Sequence, residues 1–280
     1  ARAKGAGEGT PSILGRPRPS GVDVEPALIA FVALVALGGY VQTVAGFAMG
    51  MIILAGNSVL ALHSLPVTTA VISLVSLLNI VLSLQGHFHR IHRRGVLALV
   101  AGQAPAIVAG VVLLGFLDVR AERVLQGLLG AFILAGCGAM ALRPRPRTTP
   151  STTPAFALAG VAGGLLAGLF SASGPVLGWF LYRQPLPVPE IRATLLATFA
   201  VSTLVRTVVV GVEGGLTTEV WRLAGASVAA VLVSVWLGRR FPPPVSEDAL
   251  RRGAFALLTL MGAWILAGAL GLPQPAAASA

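Results

Sequence analysis

Residues 155–182 read AFALAGVAGGLLAGLFSASGPVLGWFLY, without one charged side chain. At about 1.5 Å per residue, a helix of that length reaches roughly 40 Å, more than the ~30 Å of a bilayer's hydrocarbon core. Lipid offers no partners to backbone N–H and C=O groups, so a run like this must bond to itself as a helix. A β-barrel strand would alternate apolar and polar residues, and this run does not. The helix is nevertheless interrupted at Phe170-Ser171-Ala172-Ser173-Gly174-Pro175. Proline removes a backbone donor and glycine loosens the helix, so backbone groups are freed at mid-depth. The stretch predicts a broken or re-entrant helix inside a membrane.

The same pattern extends along the chain. Apolar runs cover roughly 27–55, 65–84, 95–116, 124–142, 155–182, 191–211, 219–238 and 253–271. Hydrophobic residues make up 55% of the chain and charged residues 11%. About 25% charge is usual for a soluble domain, so this surface must face lipid. The fold expected is all-α: a polytopic transmembrane bundle of about eight hydrophobic segments. The formal charge of +10 does not indicate nucleic acid, because the basic residues sit in short gaps between apolar runs, where cytoplasmic loops collect Lys and Arg.

The first run resembles the fifth. Gly38–Gly50, GGYVQTVAGFAMG, is broken by small residues as Gly163–Pro175, GGLLAGLFSASGP, is. Three further runs follow each of them. Two internal repeats are therefore expected, over 27–142 and 155–271, joined by the basic, Pro-rich linker 143–154. Polar tails at 1–26 and 272–280 are expected to be disordered. If runs 1 and 5 both re-enter, the loops 85–94, 143–154, 183–192 and 239–252 share one side, and each half crosses an odd number of times. If only run 5 re-enters, the basic bias between the sides is larger still. The sequence leaves the choice open, and with it the side of the N-terminus.

Freed N–H groups at a half-helix N-terminus, with the positive end of the helix dipole, make an anion site. Gly174 and Pro175 supply the break, and Ser171 and Ser173 would add hydroxyl donors. Gln42 lies one turn before the first break at Gly46-Phe47-Ala48-Met49-Gly50, where its amide could donate to an anion or bridge helices. Arg206 lies inside STLVRTVVV with no Asp or Glu in its segment, so an anionic substrate is one counter-ion and backbone carbonyls are another. Asn79 is its rough counterpart in the second run. Arg192 opens the sixth run and could anchor it at the interface.

His87, His89 and His92 fall in a basic loop with no acidic partner and read as solvated rather than metal-binding. Cys137 stands alone inside an apolar run. No Asp or Glu lies deep in any run. There is no Walker motif, no Rossmann fingerprint and no catalytic set, so neither an enzyme nor a cofactor is expected.

Two stretches, VQTVAGFAMG and LFSASGPVLGWFLYRQPLPVPEIRATLLATFAVSTLVR, resemble the two signature regions of the sulfite exporter TauE/SafE family, and the resemblance runs from about residue 27 to 271. It implies a bacterial inner-membrane transporter of sulfite or organosulfonates such as sulfoacetate. Gly46, Phe47 and Gly50 would carry the first signature. Ser173, Gly174, Pro175, Arg192 and Arg206 would carry the second. The function expected is secondary transport of a small sulfur-containing anion. An anion channel or permease, and a non-transporting membrane subunit of a sulfur-metabolism complex, remain alternatives. The partners expected are the small anion and the lipid bilayer, and a homo-oligomer is left open.

Overall fold

The computed structural model describes residues 24–45, 48–141, 146–241 and 247–272. Most of both expected tails lies outside this set, as do Gly46 and Phe47. The described residues form ten α-helices and no strand: α1 Val24–Ala45, α2 Met49–Leu60, α3 Leu65–Leu84, α4 Arg93–Arg120, α5 Glu122–Ala141, α6 Thr153–Phe170, α7 Gly174–Tyr182, α8 Val188–Val212, α9 Thr218–Arg240 and α10 Glu247–Ala269. A short 3₁₀ turn, Phe88–Arg90, precedes α4. Six helices (α1, α3, α4, α6, α8 and α9) are long and apolar enough to cross a bilayer.

The first and fifth apolar runs are each two helices. The first is divided between α1 and α2, and the fifth between α6 and α7. At both divisions a non-glycine residue takes left-handed backbone, Ala48 at φ 92° and Ser171 at φ 52°. That conformation costs an L-residue of order 1–3 kcal/mol and persists only where surrounding structure enforces it. Here packing does so, because the chain folds back on itself. A Cβ on Gly38 would lie 3.1 Å from the Met49 carbonyl oxygen, and one on Gly56 would meet the Leu34 side chain at 2.3 Å, so α2 runs antiparallel to α1. In the other pair, Gly163 of α6 faces Leu177 of α7. Pro154 sits in the first turn of α6 and Pro175 in that of α7, where a missing N–H costs nothing.

Close helix packing in lipid needs small residues, because apolar side chains gain nothing there by hiding from water. The α4–α6 contact is built this way. Gly160, Gly164 and Gly168 line one stripe of α6, and a Cβ on Gly160 would come within 2.1 Å of the Leu99 carbonyl oxygen. Gly39 against Ser234 and Gly238 against Thr43 bring α1 to α9 in the same manner, and Gly130 and Gly262 join α5 to α10. Helices α3 and α8 pack against each other at the centre; α3 also meets α9, and α8 meets α4.

One end of the bundle is basic. There Arg239 Nη2 donates to the Gln85 carbonyl, the His92 N–H donates to Thr194 Oγ1, and the Arg147 N–H donates to the Arg183 carbonyl. Ser151 N–H also donates to Gln184 Oε1 at 2.9 Å, so the segment before α6 touches the turn after α7. The opposite end carries His63, between α2 and α3, with Nδ1 3.2 Å from Glu219 Oε1 and its ring edge-on to Phe31.

Candidate functional site

The tips of the two folded-back pairs meet. A Cβ on Gly50 would lie 2.8 Å from the Ser171 carbonyl oxygen and 3.4 Å from the Ala172 Cβ, so only glycine permits this approach without displacing backbone. Beside the meeting point lies a small, partly enclosed cavity. Gln42, Ala48, Gly50 and Met51 line it from the first pair, and Ala167 with residues 171–175 from the second. Ser76 and Ile80 of α3 and Phe199, Ser202, Thr203 and Arg206 of α8 complete the wall. The N-terminal ends of α2 and α7 both open here.

Among the described residues Arg206 is the charged one in this lining, and no carboxylate shares it. The side chain is 1% exposed. Its Nη1 donates to the Thr69 carbonyl at 2.9 Å and to Ser73 Oγ at 2.8 Å, and its Nε donates to the Gly168 carbonyl at 3.2 Å. Ser73 Oγ lies 3.0 Å from Ser171 Oγ, linking the guanidinium to the second break. These contacts hold three donor–acceptor pairs of a five-donor fork in a rigid frame. The acceptors are neutral, so the positive charge is hydrogen-bonded but not neutralised. Such a group favours a negative charge in the space that it lines.

The remaining candidates separate into lining and support. Ser171, Ser173, Gly174, Pro175, Gly50 and Gln42 line the cavity. Asn79 does not. It accepts from Gln42 Nε2 at 3.1 Å and donates to the Gly39 carbonyl and to Thr43 Oγ1, holding Gln42 in place. Arg192 is half-buried near the basic end, away from this lining. Gly46 and Phe47 lie outside the described residues. Arg206 itself, expected to need an anion or carbonyls for partners, has the carbonyls and keeps its place in the wall.

Sequence reasoning missed Thr69, Ser73, Ser76, Ser202 and Thr203. A signal was available: Thr69, Ser73, Ser76 and Asn79 recur at helical spacing on one stripe of α3, and Ser202 and Thr203 fall one turn before Arg206.

His92 accepts from the Gly95 N–H and caps α4, while His87 and His89 are exposed. Cys137 is buried.

Fold and site together define a multi-pass membrane protein with a polar, singly cationic cavity between two breaks in its helices. The sulfite exporter TauE/SafE profile matches residues 31–265. A relative described as "Probable sulfite/organosulfonate exporter TauE", from Cupriavidus necator, is 41% identical over 243 residues, covering 87% of this chain and 95% of that protein. No solved structure matches. The chain belongs to the sulfite exporter TauE/SafE family. It is a multi-pass inner-membrane protein of a transporter family, not an enzyme.

Proposed function

We propose that this chain exports a small sulfur-containing anion, sulfite or a short organosulfonate, by alternating access around the Arg206 cavity. One observation carries the reading: a buried guanidinium, bonded only to neutral groups among the contacts described, lines a cavity that has room for a small solute. The name borne by the Cupriavidus relative supports the substrate class. The anion would sit against Arg206, with Ser171, Ser173 and Gln42 as further donors and the first turns of α2 and α7 adding partial positive charge. Met51, Ile80, Pro175 and Phe199 would face the carbon chain of an organosulfonate.

In this reading α1–α2 and α6–α7 are re-entrant hairpins. The contact between Ser151 and Gln184 supports it, because the chain enters and leaves the second pair at one end. The contact between Phe31 and His63 does the same for the first pair at the other end. Each half then contributes three crossing helices, α3–α5 and α8–α10, and the halves are inverted repeats. The mutual pairing of α3 with α9 and α8 with α4, and of α1 with α9 and α6 with α4, is what such a two-fold relation produces. The basic end faces the cytoplasm by the positive-inside rule, and the start of α1 lies on the outer side.

The test is flux in proteoliposomes containing purified protein, with sulfite, thiosulfate, sulfoacetate and sulfate offered in turn. The proposal expects saturable sulfite or sulfoacetate flux and counterflow, both lost in Arg206→Ala. Non-saturating flux without counterflow would indicate a pore instead, and no flux of any of these anions would refute transport by this chain alone.

A further inference from the structure

The carboxamide of Gln42 has a direction that its neighbours dictate. A backbone carbonyl can only accept, so the Asn79 atom 3.2 Å from the Gly39 oxygen is the nitrogen. Thr43 agrees. Its hydroxyl proton goes to the same Gly39 carbonyl at 2.8 Å, which leaves Oγ1 to accept from Asn79 Nδ2 at 3.3 Å. With its nitrogen spent on α1, Asn79 turns its oxygen to Gln42, and a carboxamide oxygen takes only a donor. The Gln42 atom 3.1 Å from it is therefore Nε2.

That bond uses one of the two N–H groups of Gln42 and leaves its oxygen over. Among the described residues nothing donates to Gln42 Oε1, and unlike the buried, unpartnered Gln103 carboxamide it is not sealed in by protein. The open space beside Gln42 is the cavity that it lines. The serines of that lining can rotate to donate or to accept, so they do not discriminate between ligand groups; the Gln42 oxygen can only accept.

We infer that Gln42 is a specificity-determining residue that reads a hydroxyl on the anion, through an oxygen whose direction Asn79 fixes. The inference rests on the transport reading above and narrows its substrate class to organosulfonates that carry an O–H donor. Spacing supports this. Arg206 bonds to Ser73 and Gln42 to Asn79, six residues further along α3, so the cationic and carboxamide ends of the cavity stand about 9 Å apart along that helix. A sulfonate on Arg206 with a hydroxyl one or two carbons away fits that span, with hydrogen bonds of about 2.9 Å closing it at either end. An alkyl group in the hydroxyl's place would leave the Gln42 oxygen dry and unpaired, which costs binding.

The test uses a matched pair of monoanions, isethionate (hydroxyethanesulfonate) and ethanesulfonate, titrated into purified protein in detergent and offered for efflux from proteoliposomes. Wild type is expected to bind isethionate about threefold to tenfold more tightly, the worth of one neutral hydrogen bond. Gln42→Met keeps the unbranched shape without the carboxamide and should bring that ratio below twofold. Asn79→Leu keeps Gln42 but frees its carboxamide to turn over, and should lower the ratio as well. Equal affinities in wild type, or an unchanged ratio in Gln42→Met, overturn the inference; an unchanged ratio in Asn79→Leu overturns the fixed direction on which it stands. If Gln42→Met does not fold, the wild-type ratio and Asn79→Leu decide. Wild-type protein that neither binds nor moves any sulfur anion refutes the transport reading, an outcome distinct from a transporting protein that treats the two sulfonates alike.

Discussion

At the scale of the residue, the account turns on how Arg206 is held. An arginine at the centre of a membrane helix costs about 2.5–3.5 kcal/mol on insertion scales. Thr69, Ser73 and Gly168 offset part of this by accepting its hydrogen bonds, and the uncompensated charge is left for the cavity. Arg206→Lys keeps the charge but loses the fork, with its Nε bond to Gly168. It should weaken sulfite binding about tenfold to a hundredfold, the worth of one or two charge-assisted hydrogen bonds, as measured by titration in detergent. Ser73→Ala removes the hydroxyl joining Arg206 to Ser171. A loss of about 1 kcal/mol is expected, or roughly fivefold in affinity, with little change in melting temperature. Arg206 was legible in the sequence as an unpaired intramembrane charge. Ser73 was not, because a helical serine commonly bonds its own i−4 carbonyl, as Ser73 does to Thr69, and nothing in one sequence says which neighbouring helix it also meets.

At the scale of the element, the two breaks were legible because Gly174-Pro175 and the glycines around Met49 disrupt apolar runs too long for a single span. Their geometry was not. That α2 folds back along α1 depends on Gly38 and Gly56 admitting Met49 and Leu34 at close range, and a sequence names the glycine without naming what approaches it. Gly50 tests the meeting of the tips. A side chain there must displace the Ser171 backbone, so Gly50→Val should lower stability by about 1–3 kcal/mol, as overpacking does. It should also abolish flux even where the protein still inserts. Thermal melting together with transport reads the two effects separately; wild-type flux in Gly50→Val would mean that the tips need not touch.

At the scale of the whole molecule, α3 packs on α9 and α8 on α4, so α3 and α8, with their hydroxyls and Arg206, stand beside the point where the hairpin tips meet. The membrane class was plain from 11% charged residues. The sidedness was not, because the basic bias alone permitted more than one threading. The Ser151–Gln184 contact favours one of them. Single cysteines at the exposed positions 152 and 185, in a Cys137→Ala background, should both react with a membrane-impermeant maleimide from the cytoplasmic side; labelling from opposite sides would refute the second hairpin. The central claim is that the cavity between the breaks holds a small anion against Arg206. An electron cryo-microscopy map of the protein with saturating sulfoacetate tests this most directly. Density for the sulfonate within hydrogen-bonding distance of the Arg206 guanidinium and the Ser171–Ser173 tip is predicted. Sulfoacetate ordered elsewhere in the bundle, with that cavity empty in a transport-competent preparation, would contradict it.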